Sequence, residues 1–277
     1  MQPLSVQWER LIGLGLVIPI QHTISRSRDG AFEFALFHAT KSPAQDSVPR
    51  KTNNCTASPS SSPFLSLSRE EKLAEWPKHT LIFNKFPIFP SHLLVVTKEF
   101  IPQTTDLDLE DFTALYRGIG TFSSQNWLVF YNCGVHSGAS QMHKHIQIVP
   151  SIDWIPLDDV IGGGGEGLRE IWCFDFWHWL RVQDFAVDSD VQGSAMKAYS
   201  VYCELLAKCR ETLGNGCSSY NFLMTGRWMM VVGRRRDLGV FSINSLGFAG
   251  FLYEKNDRQK TLLKKRGLLR MLKDVSY

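Results

Sequence analysis

The stretch GASQMHKHIQIVP, from Gly138 to Pro150, decides the fold. It places three polar residues at alternate positions: His143, His145 and Gln147. Side chains alternate between the two faces of a β-strand, so these three share one face, while Lys144 and two isoleucines share the other. A strand that buries three polar groups in a row needs hydrogen-bond partners for all of them, and a bound ligand is one source of such partners.

The residues just upstream, SGASQ from Ser137 to Gln141, supply two hydroxyls, one amide and several unobstructed backbone N–H groups. Such a turn can wrap an anion. An anion loop followed by paired histidines predicts phosphoryl or nucleotidyl transfer. Two alternatives stay open at this point. The histidines could be core residues satisfied by the protein, or they could belong to a zinc site completed by His92 and His136, since zinc takes three or four N, S or O ligands.

Composition indicates an ordinary globular protein. Of 277 residues, 44% are hydrophobic and 21% are charged, and 30 basic against 27 acidic residues leave a formal charge of +3. This near balance predicts no nucleic-acid partner. The six cysteines form no CxxC pair, which favours reduced thiols in an intracellular protein. No basic leader followed by an apolar core and no run of about 20 apolar residues is found, so we expect a cytoplasmic protein without a membrane partner, most simply a monomer.

Local patterns predict an α+β fold. Strand-like runs occur at 32–37, 81–83, 93–97, 127–134 and 145–150, and as a pair within 220–233. Helical spacing occurs over 4–16, after a cap at Asp106 or Asp108, over 195–214 and over 257–272. We expect a catalytic lobe at 1–160 with a flexible Ser/Pro loop at 42–63, an atypical linker or insertion at 161–194, and a C-terminal lobe at 195–277.

Several segments together resemble one family. HKHIQ is similar to the His-x-His-x-Gln motif of the transferase branch of the histidine triad superfamily. SGASQMHKHIQ resembles the longer signature of diadenosine tetraphosphate phosphorylases, also called ATP adenylyltransferases. FNKFPIFPSHLLVVTKEF, YNFLMTGRWMMVV and INSLGFAGFLYEK are similar to further segments of that family. The resemblance covers about residues 79–150 and 195–277, and it lapses over 151–194.

The resemblance implies a histidine-triad-like antiparallel sheet flanked by helices, with a C-terminal lobe that completes the sheet and the pocket. It implies that His145 is the nucleophile and that the backbone carbonyl of His143 holds its Nδ1–H. The adenylyl-histidine so formed would react with phosphate, which splits diadenosine tetraphosphate into ATP and ADP, and the reverse adenylyl transfer is implied too. Gln147 stands where hydrolase branches carry a third histidine. Because an amide cannot act as a general acid or base, it favours a transferase.

The resemblance also implies a set of substrate-binding residues: Lys41, Asn84, Lys85, Asn132, Gly138, Ala139, Ser140, Gln141, Gln147, Asn244, Ser245, Leu246, Phe251 and Lys255. From residue chemistry alone, Asn132 could instead serve the local turn, and Leu246 and Phe251 could equally be core. The run from Arg234 to Arg236 is typical of a solvated turn.

The expected partners are a dinucleoside polyphosphate, ATP, ADP and inorganic phosphate. No covalently bound cofactor is expected, while a divalent cation such as Mg²⁺ stays open. Three rival functions also stay open. The chain could be a nucleotide-sugar phosphorylase or a hexose-1-phosphate uridylyltransferase, although GASQMHKHIQ favours the adenylyl branch. It could also be a catalytically silent nucleotide-binding protein.

Overall fold

Twelve strands and seven α-helices are found in the computed structural model, which describes residues 2–40, 62–122, 126–214, 217–239 and 241–277. The strands are β1 (His22–Asp29), β2 (Phe32–Ala39), β3 (Lys72–Glu75), β4 (His79–Phe83), β5 (Leu93–Thr97), β6 (Leu128–Cys133), β7 (His145–Val149), β8 (Gly167–Arg169), β9 (Trp179–Val182), β10 (Tyr220–Met224), β11 (Trp228–Gly233) and β12 (Phe251–Glu254). The helices are α1 (Leu4–Gly13), α2 (Leu109–Ile119), α3 (Pro156–Ile161), α4 (Val191–Leu213), α5 (Ser245–Phe248), α6 (Asp257–Arg266) and α7 (Leu268–Val275).

Nine of these strands form one sheet in the order β3-β4-β5-β7-β6-β10-β11-β9-β8, and all neighbours are antiparallel. The sheet crosses from the N-terminal to the C-terminal half where β6 pairs with β10, with Asn132 opposite Asn221. The other three form a small sheet in which β2 pairs antiparallel with β1 and parallel with β12. The α+β fold and the completion of the sheet by C-terminal strands are therefore confirmed.

The large sheet buries different elements on its two faces. One face packs on α1, α2 and α4 around residues such as Val95, Ile146 and Phe222. The other packs on the small sheet and the C-terminal helices around residues such as Phe130 and Met230. On β4 and β5 this second face carries only a small apolar cluster of Ile82, Leu94 and Val96, which Phe64 and Leu67 cover in part. Because cross-strand partners share a face, His145, opposite Val96, lies beside this small cluster.

Local sequence signals explain most element ends. Asp108 caps α2 in a reciprocal capping box with Asp111, which decides between the two caps expected. Gly214, with φ +71°, ends α4. The single helix expected over 257–272 was wrong. Gly267, with φ +79°, divides it into α6 and α7, because this backbone conformation cannot continue a helix.

Two segments differ from their expected roles. The strand β1 was not predicted, because most of its side chains are exposed and it lacks an apolar face. Residues 161–194, predicted to be a linker or insertion, contribute β8 and β9 to the edge of the large sheet. Lys41 and most of the predicted Ser/Pro loop lie outside the described residues. Within the described ranges, none of the helices combines the length and the apolar character that crossing a bilayer requires.

Candidate active site

His145 begins β7 and lies at the centre of the candidate site. Its side chain is almost fully buried, and its Nδ1 lies 2.8 Å from the carbonyl oxygen of His143. In the neutral ring this contact places the proton on Nδ1, because a carbonyl can only accept, and the lone pair is then on Nε2. This is the orientation that the family resemblance implies for a nucleophile. His145 and Gln147 share a sheet face, as the alternation predicted. His143 lies just before β7, in an isolated bridge with Pro102, and the Phe64 ring contacts both histidine rings.

His143 is held by the protein rather than directed to a ligand. Its Nδ1 lies 2.7 Å from the hydroxyl of Ser62, and its Nε2 lies 2.8 Å from the Thr97 hydroxyl and 2.9 Å from the Thr97 carbonyl. Both ring nitrogens therefore have protein partners. The interpretation of the histidines as satisfied core residues thus applies to the side chain of His143, while its backbone carbonyl orients the next histidine.

The peptide that precedes His145 is fixed on both sides. Gln103, a buried residue between β5 and α2, accepts a hydrogen bond from the backbone N–H of His145 at 2.9 Å. On the opposite face Lys144 is 2% exposed and forms an ion pair with Asp111 of α2, and its Nζ also donates to the Asp106 carbonyl at 2.8 Å. Neither Gln103 nor Lys144 could be assigned a role from the sequence, since both act through residues distant in the chain.

His92, expected above only as a possible zinc ligand, is a further buried residue of the site. The Nδ2 of Asn84 lies 3.4 Å from the Nδ1 of His92, and since this amide nitrogen can only donate, the ring proton belongs on Nε2. That Nε2 is buried and forms no hydrogen bond of ordinary geometry among the described residues, although the Gln147 amide lies close enough to raise the pKa of the ring. An N–H in this situation can donate to an anion. Among those same residues, no group of three or more His, Cys, Asp or Glu is placed to hold a metal ion.

Burial controls the protonation of these histidines. It lowers the pKa of His145 to about 4; the hydrogen bond to the His143 carbonyl raises it and the charge of the His143 ring lowers it. Burial also lowers the pKa of His92 to about 3, with a further decrease from the charge of His145 and a partial increase from the Gln147 amide. Both rings are therefore neutral near neutral pH, which is the form that a nucleophilic imidazole requires.

The anion loop is pinned against the C-terminal half. Gly138 has φ +81°, and a Cβ atom there would lie 2.4 Å from the carbonyl oxygen of Ile243. Only glycine fits this close approach. The carbonyl of Ser137 accepts hydrogen bonds from Asn221 at 2.9 Å and from Arg234 at 3.3 Å. The base of the loop is thus rigid, while Ala139, Ser140 and Gln141 remain at least partly exposed.

A buried polar network includes two of the predicted substrate-binding residues, Asn132 and Ser245, whose substrate contacts stay predictions. The Oδ1 of Asn132 accepts from the Nδ2 of Asn221 at 2.8 Å and from the backbone N–H and the hydroxyl of Ser245 at 2.8 Å and 2.7 Å. Through these contacts the Asn132 Oδ1 links β6, β10 and α5, and it is therefore not available to a substrate. The Ser245 hydroxyl is part of the same network. The solvated turn predicted at Arg234 was wrong. Arg234 is 1% exposed and donates to the carbonyl of Ile243 at 2.8 Å, and burial lowers its pKa to about 9.

Comparisons with known proteins match both halves of the chain. A family model described as the Ap4A phosphorylase N-terminal domain, where Ap4A is diadenosine tetraphosphate, matches residues 5–161, which is more than half of the chain. A second, described as the ATP adenylyltransferase C-terminal domain, matches residues 174–277. The chain belongs to the Ap4A phosphorylase family.

Individual relatives agree with this membership. Diadenosine 5',5'''-P1,P4-tetraphosphate phosphorylase 2 of Saccharomyces cerevisiae is 31% identical in an alignment of 208 residues that covers 66% of this chain and 64% of that protein. Protein APA1 of the same yeast is 29% identical over 65% of this chain and 62% of its own length. Both matches span less than two thirds of the yeast proteins. The crystal structure of yeast Ap4A phosphorylase Apa2 in complex with Ap4A superposes with a TM-score of 0.79 at 23% identity, covering 99% of this chain and 96% of that one.

The remaining predicted ligand residues of this Ap4A phosphorylase family member lie on several elements. Asn244 caps α5, and its Oδ1 accepts the N–H of Leu246 at 3.1 Å. Leu246 and Phe251 are both buried, and Phe251 packs 5.4 Å from the ring centroid of Phe89. Lys85 and Lys255 are exposed cations that follow β4 and β12. Their substrate contacts stay predictions.

The low pKa of His145 predicts a pH profile. We expect the rate of adenylyl transfer to stay level between about pH 7 and pH 5 and to fall as the pH drops through about 4, because protonation removes the attacking lone pair. Single-turnover rates measured across this range test the expectation, with circular dichroism to confirm that the protein stays folded. A midpoint near the ordinary histidine pKa of about 6.5 would contradict it.

Proposed function

We propose that this chain is a nucleotidyltransferase that splits diadenosine tetraphosphate with inorganic phosphate into ATP and ADP. The observation that carries the proposal is the 2.8 Å contact between His145 Nδ1 and the His143 carbonyl, which leaves a neutral, oriented Nε2 at the end of an anion loop. Family membership supports the same reaction class. The yeast Apa2 structures, one with AMP and one with Ap4A, support a nucleotide ligand for this fold.

The first step would be attack on the α-phosphorus of the dinucleotide. The Nε2 of His145 forms a bond to phosphorus, the bond from that phosphorus to the bridging oxygen breaks, and ATP leaves. The backbone of Gly138 to Gln141, together with the Nε2–H of His92, can stabilise the phosphate oxygens by donating hydrogen bonds. Lys85 and Lys255 would add positive charge from the rim, and Lys41 is expected to add to it.

In the second step an oxygen of inorganic phosphate would attack the adenylyl-histidine. The P–N bond breaks, a P–O bond forms, ADP leaves and His145 is restored. Gln147 follows His145 on the same sheet face and is half-buried, so its amide can bind a phosphate oxygen. Because an amide exchanges no proton, it does not activate water. Any divalent cation would enter with the substrate phosphates, as Mg²⁺ usually does, and EDTA in the assay tests whether one is needed.

One assay tests the proposal. The protein is incubated with diadenosine tetraphosphate and phosphate while ATP and ADP are followed, and a parallel sample without phosphate is checked for an adenylyl group on the protein. We expect equal amounts of ATP and ADP, and ATP release with labelled protein when phosphate is withheld. Absence of turnover by folded protein would sink the proposal. Parallel samples with ADP-glucose and UDP-glucose test the nucleotide-sugar alternative.

Gln147 should decide between phosphate and water as the acceptor. We expect Gln147→His to raise the ratio of AMP to ADP formed from the adenylyl-enzyme by roughly 10-fold or more, because an imidazole can exchange a proton with water and the amide cannot. The ratio is measured at one fixed phosphate concentration. Because both products come from the same active enzyme, their ratio does not depend on the fraction of active protein. Gln147→Asn, which keeps an amide but shortens it, is the control and should leave the ratio low. An unchanged ratio in the histidine variant would contradict the role of Gln147.

A further inference from the structure

The strands on either side of the nucleophile separate just before they reach it. β6 and β7 pair from Leu128 with Val149 to Phe130 with Gln147, and the pairing stops there. Continued in register, it would place Asn132 opposite His145. On its other edge His145 does pair, with Val96 of β5. The N–H and carbonyl of His145 therefore lack the neighbouring strand that the ladder would have supplied on the β6 side.

Gln103 fills this gap with its side-chain amide. Its Oε1 accepts from the N–H of His145 at 2.9 Å, and its Nε2 donates to the carbonyls of His145 at 3.3 Å and of Asn132 at 2.9 Å. The residue is 2% exposed. The Gln103 amide thus replaces the hydrogen bonds that Asn132 and His145 would have exchanged. It bridges β6 and β7 at the point where the two strands have separated.

The backbone around Gln103 holds the residues just before the nucleophile. The backbone N–H of Gln103 donates to the carbonyl of Met142 at 2.7 Å. The carbonyl of Ile101 accepts from the backbone N–H of Lys144 at 2.8 Å. Pro102 and His143 form the bridge between these two contacts. The carbonyl of Gln103 in turn accepts from Gly134 at 3.2 Å, at the start of the loop that precedes the motif. Gln103 therefore contacts both ends of the segment from Gly134 to Met142, which contains the anion loop, and it also contacts His145.

We infer that Gln103 is a positioning residue for His145 in the transfer reaction. It lets β6 and β7 part so that the anion loop fits between them, while the nucleophile's backbone stays as fixed as it would be inside a paired strand. The expected effect of Gln103 on the rate of adenylyl transfer rests on the proposed function. Its effect on the backbone of His145 rests on geometry alone. Gln103 does not need to touch the substrate, because it acts through the backbone of His145.

Two variants test this. Gln103→Met keeps the length of the side chain and removes both the donor and the acceptor. We expect the single-turnover rate of adenylyl-enzyme formation to fall by about 100-fold, with a change in KM of less than about 3-fold, because small displacements of a reacting group cost rate rather than binding. Leu205→Ala, a core change in α4, is the control. It should lower the melting temperature while leaving the rate per folded molecule unchanged.

Gln103→Glu gives a signature that a purely structural role would not. An ionised carboxylate would face two carbonyl oxygens, whereas a protonated one can donate as Nε2 does. We expect the rate of this variant to fall as pH rises and its carboxyl ionises, while the wild type stays level over the same range. A level profile in the glutamate variant, or a methionine variant within about 3-fold of the wild-type rate, would overturn the inference.

A spectroscopic measurement separates this inference from the proposed function. In the wild type the imidazole nitrogens of His145, assigned by comparison with His145→Ala, should show a single tautomer with the proton on Nδ1. In Gln103→Met we expect shifts averaged between both tautomers, because the backbone of His145 loses the contacts that hold its ring in register with the His143 carbonyl. Unchanged shifts in the variant would refute the positioning role even if the wild type proved inactive, and wild-type inactivity alone would refute only the proposed function.

Discussion

Replacement of His145 by alanine should abolish the adenylyl-enzyme and reduce turnover of diadenosine tetraphosphate by at least roughly 10³-fold, as removal of a nucleophile does elsewhere. In the proposed reaction the Nε2 of the His145 ring forms the bond to phosphorus, and neither neighbouring histidine in the described part of the site is placed to replace it. His143 has both ring nitrogens bound to Ser62 and Thr97, and His92 is held by Asn84. The measurement is the mass or label retained by the protein after reaction with substrate in the absence of phosphate.

His143→Ala is the matched control for this experiment. It removes an imidazole two residues away but keeps the backbone carbonyl that orients His145. We expect it to form the adenylyl-enzyme more slowly, since Ser62 and Thr97 lose their partner, yet to form it. If His145→Ala still carried an adenylyl group on a histidine, or if His143→Ala alone lost all labelling, the assignment of the nucleophile would be wrong.

The parts of the fold that could be predicted are those whose causes are local in sequence. Strand alternation placed His145 and Gln147 on one face, because the period of a strand does not depend on its neighbours. The cap at Asp108 needed only residues within one turn of α2. The strand β1 could have been found from Gly30, because glycine is favoured at the first position of a two-residue hairpin turn, here Gly30 and Ala31, although the exposed side chains of β1 gave no apolar pattern.

The parts of the site that were missed depend on partners far apart in the chain. The Gln103 side chain meets His145 from 42 residues away, and the Arg234 guanidinium meets the Ser137 carbonyl from 97 residues away. Nothing near Gln103 or Arg234 marks them as buried, because both are polar residues in segments without periodicity. Composition predicts exposure for such residues, and only the assembled sheet shows that backbone carbonyls surround them.

Asp111→Asn should destabilise the folded protein by about 3–5 kcal/mol, because it leaves the buried ammonium of Lys144 without a counter-ion. Burial raises the pKa of Asp111, but hydrogen bonds from His79 and Lys144 and the charge of Lys144 outweigh it, and the net pKa lies below its ordinary value. The carboxylate is therefore ionised in the fold. Urea unfolding at neutral pH measures the loss. A decrease below about 1 kcal/mol would show that Lys144 finds other partners.

The double variant Asp111→Asn with Lys144→Met distinguishes a missing partner from a damaged helix. Removing both charges should recover much of the stability lost in the single variant, since a buried pair replaced by neutral groups is often close to neutral in free energy. Lys78→Met, which breaks an exposed ion pair with Glu110, is the surface control and should leave the unfolding midpoint unchanged. The double variant also lacks the Lys144 side-chain contacts that anchor the peptide between His143 and His145. If that anchoring matters for the reaction, the variant would be stable but would transfer the adenylyl group slowly. Stability and catalysis would then depend on different parts of Lys144, because its backbone precedes His145, the proposed nucleophile, while its side chain points to the opposite face of the sheet.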